Sequence, residues 1–399
     1  MNIFVINSGS SSIKYQLFQM PGESPLCNGI VERIGQERGE ITHKVYRNGT
    51  EDETKTTAAF ADHGAALEAV MQLLTDAQHG VLHDPGEIEA VGHRVVHGGE
   101  RFSEATVVTE EVKQEIERLA SLAPLHNPPN LLGIRVAEQI FPRAQQVVVF
   151  DTAFHQTMPE RAFRYAIPNE FYRQQHIRVY GFHGTSHKYV AERATDYLGK
   201  ADARLITLHL GNGCSMAAVR GGKSLETSMG FTPMNGLVMG TRCGDIDPSV
   251  LFYLINDRGY DPEQLNTLLN KQSGMLGLTG HSDMRDIARA MDDGNPEAAL
   301  AYAMYTYRIR KYIGAYGAVL NGLDALVFTA GVGENDARTR AMACADLDFL
   351  GIRLDAAKNE ARARHLREIN VPDAPIKILV VPTNEELEIA RQCFGLLKD

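Results

Sequence analysis

Two stretches of this chain share one pattern of apolar and polar positions. In the first, residues 3–6 and 13–18 are mainly apolar and flank Asn7-Ser8-Gly9-Ser10-Ser11-Ser12. In the second, residues 205–210 and 216–219 flank Gly211-Asn212-Gly213-Cys214-Ser215. Each predicts a strand, a turn of small residues and a returning strand. Between them, Leu67, Val70, Leu73 and Leu74 fall on one face of a helix, as do Val112, Ile116 and Leu119. Residues 90–96 and 146–150 are apolar enough for strands, the first ending at His97-Gly98-Gly99 and the second at Asp151. Residues 25–50 suggest further strands with polar turns, and Pro124, Pro128 and Pro129 predict an ordered loop around His126.

The pattern then restarts. After the second hairpin, Asn295-Pro296 supplies an N-cap and a first-turn proline for a long helix through Tyr302, Tyr305, Ile309 and Ile313. A buried strand at 325–329 leads to a glycine turn, Gly331-Val332-Gly333, and a helix capped by Asn335 or Asp336. A strand at 376–381 precedes Pro382-Thr383-Asn384-Glu385-Glu386 and a terminal helix. A turn of small residues leaves backbone N–H groups uncovered, and clustered N–H groups bind phosphate oxygens. Two such turns, with Lys14 in the first outgoing strand, predict a duplicated α/β fold that takes a nucleotide from both sides. The expected domains are 1–152, joined by a terminal helix at 386–399, and 153–385.

Composition narrows the function. A length of 399 residues suits two domains, and a net charge of −10 argues against a nucleic-acid partner. Five cysteines, an odd number without Cys-x-x-Cys spacing, predict reduced thiols and a cytoplasmic protein. No basic segment precedes the first strand, so no secretory signal is expected. The most apolar long stretch, 315–332, carries Asn321 and Asp324 and predicts no membrane span.

Several familiar motifs fail. Gly222-Lys223-Ser224 resembles the end of a P-loop, but the required first glycine is Ala217. His93 and His97 are four apart on a predicted strand, about 13 Å along the chain and too far to share a metal. His183 and His187 span a turn entering a helix and lack the glutamate of zinc proteases. Structural hydrogen bonding is the expected role of His93, His97 and His187. The informative residues are Arg94, Asp151, His183 and Arg242, each near a strand end or in a glycine-flanked loop. A guanidinium inside the apolar strand around Arg94 needs an anion, either an internal carboxylate or a ligand. Arg242, within Met239-Gly240-Thr241-Arg242-Cys243-Gly244-Asp245, is placed like an anion clamp. Turn formation or helix capping is the expected role of the acids in that stretch.

Eight ordered blocks then resemble the acetate kinases from end to end. They are Asn7 to Lys14, Gly92 to Gly99, Phe150 to His155, Tyr180 to His187, His209 to Gly213, the Arg242 block, Gly331 to Asn335 and Pro382 to Leu387. The resemblance implies duplicated actin-like (ribonuclease H-like) α/β domains with a nucleotide cleft between them. It implies reversible transfer of the ATP γ-phosphoryl to a short carboxylic acid, giving an acyl phosphate and ADP. By the same resemblance, Arg94, Asp151, His183 and Arg242 are catalytic. Arg94, Val96, Leu125, His126, Phe182 and Pro233 hold the acid. Asn7 and Glu385 position Mg2+, for which Mn2+ substitutes. Lys14, His209, Leu210, Gly211, Asn212, Gly213, Asp283, Met284, Arg285, Gly331, Val332, Gly333, Glu334 and Asn335 contact ATP or ADP. A homodimer is implied, without a nucleic-acid or membrane partner. The competing readings are a kinase for propionate or butyrate, with Val96 setting the pocket, and an ATP-gated binding protein that lacks the transfer chemistry. A zinc hydrolase ranks third.

Overall fold

The computed structural model describes residues 1–47, 49–78, 80–124 and 126–398. The chain forms two compact units, Met1–Ala153 with Asn384–Asp399, and Phe154–Thr383. In the first unit the described strands are β1 Asn2–Ser8, β2 Ser12–Gln19, β3 Pro25–Glu32, β4 Gly39–Arg47, β5 Thr50–Ala58, β6 Ala90–Val95, β7 Thr106–Val107 and β8 Gln145–Phe150. They form one sheet in the order β5-β4-β3-β2-β1-β6-β8-β7. β1 runs antiparallel to β2, with Asn7 opposite Lys14, and parallel to β6, with Ile6 beside His93. β8 extends the parallel part, with Phe150 beside Val95. Phe4, Ile6, Tyr15, Leu67, Val70 and Phe141 share one core cluster, which seats the helix His63–Leu74 on the sheet. The helix Glu385–Leu397 meets the sheet at Gly92, where an added Cβ would lie 2.8 Å from Ile389 Cγ2 and 2.9 Å from Cys393 Sγ.

The second unit has β9 Arg204–Leu210, β10 Cys214–Arg220, β11 Lys223–Thr227, β12 Ala325–Thr329, β13 Arg367–Glu368 and β14 Lys377–Val380. Their order is β11-β10-β9-β12-β14-β13. The run β3-β2-β1-β6-β8 thus recurs as β11-β10-β9-β12-β14, with the same antiparallel and parallel pairings. The repeated hairpins are the visible part of a repeated five-strand plan.

Three local expectations change. Pro128 and Pro129 do not break the chain into a loop. They sit in the first turn of the helix Asn127–Ile140, where the missing N–H costs nothing. Gly331 to Gly333 is helical, within Ala330–Asn335, and Asp336 caps the following helix Ala337–Cys344. The Glu334 carboxylate reaches back to the Ala330 N–H at 2.9 Å and so closes that short turn. β5 was not expected, because all nine of its residues are exposed and carry no apolar signal. Lys223 and Ser224 lie in a strand, which excludes the P-loop geometry. Among the described residues no helix is long and apolar enough to cross a membrane.

Gly92→Ala should cost about 1–3 kcal/mol, because the new methyl group enters a packed layer. Gly314→Ala, at an exposed helical position with nothing within 4 Å, should be neutral or slightly stabilising. Urea unfolding of both variants checks this, and equal midpoints would refute the packing argument.

Candidate active site

Parallel strands end together, so residues at their carboxyl ends become neighbours. In the first unit β1, β6 and β8 bring Asn7, Arg94 and Asp151 to one edge. Arg94 Nε donates to Asp151 Oδ1 at 3.0 Å and its Nη2 to Oδ2 at 2.6 Å, a two-pronged pair. Its Nη1 lies 3.4 Å from Asn7 Oδ1, and its Nε lies 3.8 Å from Glu385 Oε2. Of the two anions the sequence leaves open for Arg94, the structure shows an internal carboxylate. Asp151 is almost wholly buried, and its own N–H is held by the Val95 carbonyl at 3.0 Å.

Burial pushes the Asp151 carboxyl up, against the pull of Arg94, while Glu385 adds a further push and His126 opposes it. Burial also works against the Arg94 charge, but Asp151 and Glu385 together more than offset it and raise its pKa. The two directions compete within one pair. Arg94 has the greater number of partners, so the ionised pair is the state we assign. Burial, then Glu385, also raises Glu386, with Lys14 and Arg94 opposing. The edge therefore holds three carboxylates against Arg94 and an exposed Lys14. A surplus of hard oxygen donors, with Asn7 beside them, fits a divalent cation that keeps several of its waters. Among the described residues no group of three or more His, Cys, Asp or Glu side chains forms a metal cluster. His93 instead bonds Gln146 Oε1 at 2.8 Å, and His97 Nδ1 accepts from the Gly99 N–H. Val96 is buried nearby, its N–H held by Asn130 Oδ1. Leu125 lies outside the described residues.

The second unit gathers a different set. His183 precedes the helix Gly184–Leu198 with φ 56° and ψ 25°, a left-handed conformation that a non-glycine residue adopts at a cost. Its Nδ1 lies 2.8 Å from Ser215 Oγ, and its ring stacks on His209 at 4.1 Å between centroids. A Cβ placed on Gly213 would lie 3.5 Å from Arg242 Nη1 and 3.6 Å from His183 Nε2 and Cε1. Arginine and histidine thus converge on one point beside a glycine. Arg242 donates to the Pro233 carbonyl at 3.0 Å, and among the described residues no carboxylate pairs with it. Burial lowers its pKa accordingly.

The Arg242 loop is fixed by backbone. Gly240 N donates to the Asn212 carbonyl at 2.9 Å, and Met275 N to the Met239 carbonyl at 2.8 Å. Asp245 accepts from Gly236 N and Tyr312 Oη, each at 2.8 Å, which ties the two ends of the loop to one helix. The turn-forming role expected of the acids here understates Asp245, which anchors the clamp. Phe182 and His155 are buried behind His183, with His155 Nε2 bonded to the Phe182 carbonyl.

A cavity of about 810 Å3 in the same unit is lined by Gly211, Asn212, Asp283, Met284, Arg285, Gly331, Val332 and Asn335 among others. Eight of the expected nucleotide contacts thus share one wall. His209, Leu210, Gly213, Gly333 and Glu334 do not line it. Leu210 is core, and Glu334 is spent on the Ala330 and Thr383 N–H groups. Asp283 caps the helix Met284–Asp292, and its hydrogen bonds to Arg285 lower its pKa to about 2. The sequence reading missed Ser215 and Asp245. The available signal for Ser215 was its position two residues after the Gly211–Gly213 turn, on a strand facing His209.

Two sheets of one plan define an α/β protein whose second unit sets a glycine hairpin beside a cavity and, among the described residues, an arginine with no carboxylate partner. The sequence matches the Acetokinase family over residues 2–391. It is 56% identical to the acetate kinase of Flavobacterium johnsoniae over the full length of both chains. Its structure resembles that of the Porphyromonas gingivalis acetate kinase, with a TM-score of 0.92 and 45% identity over 99% of each chain. It also resembles a propionate kinase from Francisella tularensis, with a TM-score of 0.90 and 41% identity over 98% of each. The chain belongs to the acetokinase family.

Proposed function

We propose that Arg94, Asp151, His183 and Arg242 carry the reversible, ATP-dependent phosphorylation of acetate that family membership gives this chain. The observation supporting this reading is Arg242, a largely desolvated guanidinium that lacks a carboxylate partner and shares one point with His183. In the reaction a carboxylate oxygen forms a bond to the γ-phosphorus as the bond to the β,γ-bridging oxygen breaks. The products are acetyl phosphate and ADP. A short carboxylic acid has a pKa of about 4–5 and is already ionised at pH 7, so the nucleophile needs no base. The transition state spreads charge over three equatorial oxygens, and the contribution of the protein is positioning and electrostatic stabilisation. Arg242 and His183 supply positive charge and a donor to those oxygens. Arg94 binds the carboxylate and the transferring group, and Asp151 holds its guanidinium in register. Val96, Phe182 and Pro233 give the acid an apolar surface, and the cavity lined by Gly331 and Asp283 takes the nucleotide.

Asn7 and Glu385 would hold Mg2+, or Mn2+ in its place, and such an ion would neutralise phosphate charge. One methylene in an apolar pocket is worth only about 1–3 kcal/mol, so acetate and propionate should both react. The propionate kinase among the structural relatives accords with that overlap. A homodimer completes the reading. The helix Pro248–Arg258 buries no side chain in this chain, yet Phe252 is 64% and Tyr253 47% exposed. Leu300, Met304 and Tyr307 repeat the exposure along the helix Pro296–Leu320. Such apolar faces suit a second copy of the same chain.

Three measurements test these assignments. ADP release with acetate, propionate and butyrate, each product trapped as the hydroxamate, should rank acetate first. Arg242→Ala should lower that turnover at least about 100-fold, by loss of transition-state charge stabilisation. ATP binding without acid-dependent turnover would return the chain to the ATP-gated binding class. Asp151→Asn should lower turnover equally across pH, and loss of a limb from its pH profile would instead make Asp151 a base. In sedimentation the chain should run as a dimer and Phe252→Asp as a monomer. A monomeric parent chain would remove the dimer from this account.

A further inference from the structure

Behind His183 lies a line of three buried side chains. His183 Nδ1 is 2.8 Å from Ser215 Oγ, and Ser215 Oγ is 2.7 Å from His187 Nε2. His187 Nδ1 is 2.7 Å from Thr207 Oγ1, which in turn donates to the Ala217 carbonyl at 3.5 Å. Ser215, His187 and Thr207 are each 0% exposed. Burial holds His187 well below its ordinary pKa, so it stays neutral with one ring proton. A neutral ring between two hydroxyls must donate on one side and accept on the other. With the Thr207 proton directed at Ala217, His187 Nδ1–H donates to Thr207 and its Nε2 accepts from Ser215. The Ser215 oxygen is then left to accept from His183 Nδ1–H.

We infer that Ser215, His187 and Thr207 are positioning residues that fix the proton of His183 on Nδ1, so that it meets the transferring phosphoryl group as an imidazolium. The inference rests on the assignment of His183 to that reaction in the preceding subsection. With Nδ1 committed to Ser215, the ring donates from Nε2 only after gaining a second proton. Nε2 and Cε1 face the point beside Gly213 that Arg242 also faces. Arg242 opposes the added charge, as would charge on His209, stacked from β9. His187 lies on the same helix as His183, and His155 packs edge-on against it. Burial lowers His155 to about 4, so it too brings no charge at neutral pH. An acceptor at Nδ1 favours the cation, as do the phosphoryl oxygens. Hydrogen bonding to the charged form raises a histidine pKa. Removing that acceptor therefore lowers it.

The test is the pH profile of kcat in the acid-dependent assay. The inference requires that kcat of the parent chain fall on the alkaline side, where a singly protonated His183 can no longer donate from Nε2. Ser215→Ala should move that limb to lower pH by about one unit, the worth of one hydrogen bond to a charged group, leaving the KM values for acid and nucleotide unchanged. Thr207→Val, two links away and nearly isosteric, should move it in the same direction. Without the hydroxyl, His187 turns its proton towards Ser215, and Ser215 then donates to His183 Nδ1. Thr207→Ser restores the hydroxyl and should restore the parent profile. A Thr207→Val limb that coincides with the parent limb, or a loss equal at every pH, overturns the inference. The 15N resonances of His183 in the unaltered protein give a check independent of folding and of turnover. A protonated, pyrrole-type Nδ1 supports the relay, and a neutral ring protonated on Nε2 overturns it. If the parent chain shows no acid-dependent turnover, the preceding functional reading fails, while the 15N result still decides the relay.

Discussion

A guanidinium removed from water must be answered by negative charge or by a full set of hydrogen-bond acceptors, and this chain treats Arg94 and Arg242 differently. Arg94 is met from within, by the two-pronged contact of Asp151 and the more distant Glu385. Arg242 is given carbonyl oxygen and a thioether, which satisfy hydrogen-bonding geometry without cancelling charge. Such a group is costly to keep in a folded protein unless the surrounding backbone is held firmly. The Met239–Asp245 loop is held in that way, pinned by Asn212, Ser273, Met275 and Asp245 through main-chain bonds. The rigidity of the clamp and its unspent charge are two aspects of one arrangement.

The repeated five-strand plan has diverged in its charged groups. In the first unit the ends of the parallel strands carry an amide, an arginine and a buried carboxylate, with Glu385 and Glu386 added by the terminal helix. The sum is acidic. In the second unit the corresponding ends carry His209 and the small residues of Ala330–Asn335, with His183 and Arg242 supplied from flanking segments. There Glu334 is taken up by main-chain N–H groups, and among the described residues no carboxylate pairs with Arg242.

Much of this plan was legible before any coordinates. The expected hairpins at 3–18 and 205–219 correspond to β1–β2 and β9–β10, and the strand at 325–329 to β12, because apolar runs bounded by glycine and serine leave few alternatives. The long helix from Pro296 announced itself through its Asn295 cap. What escaped notice lacked a local signal. β5 is polar along its whole length and owes its place to pairing with β4 alone. Proline carried the wrong meaning at Pro128 and Pro129, since a residue that ends a helix also opens one. In the site, charged residues inside apolar runs drew attention to Arg94 and Asp151. Ser215, Thr207 and Asp245 bond partners distant in sequence, and apart from the place of Ser215 beside the glycine turn nothing local marks them in advance.

The helix Glu385–Leu397 and its seat at Gly92 have a consequence for how the protein is made. The second unit is a continuous stretch of chain, whereas the first needs residues from both sides of it. During synthesis the sheet carrying Gly92 emerges first and waits uncovered while the whole of Phe154–Thr383 is translated, roughly 10–50 s at about 5–20 residues per second. The later unit can close as soon as it leaves the ribosome. Completion of the first unit therefore follows that of the second, and until then β1 and β6 lack their covering helix.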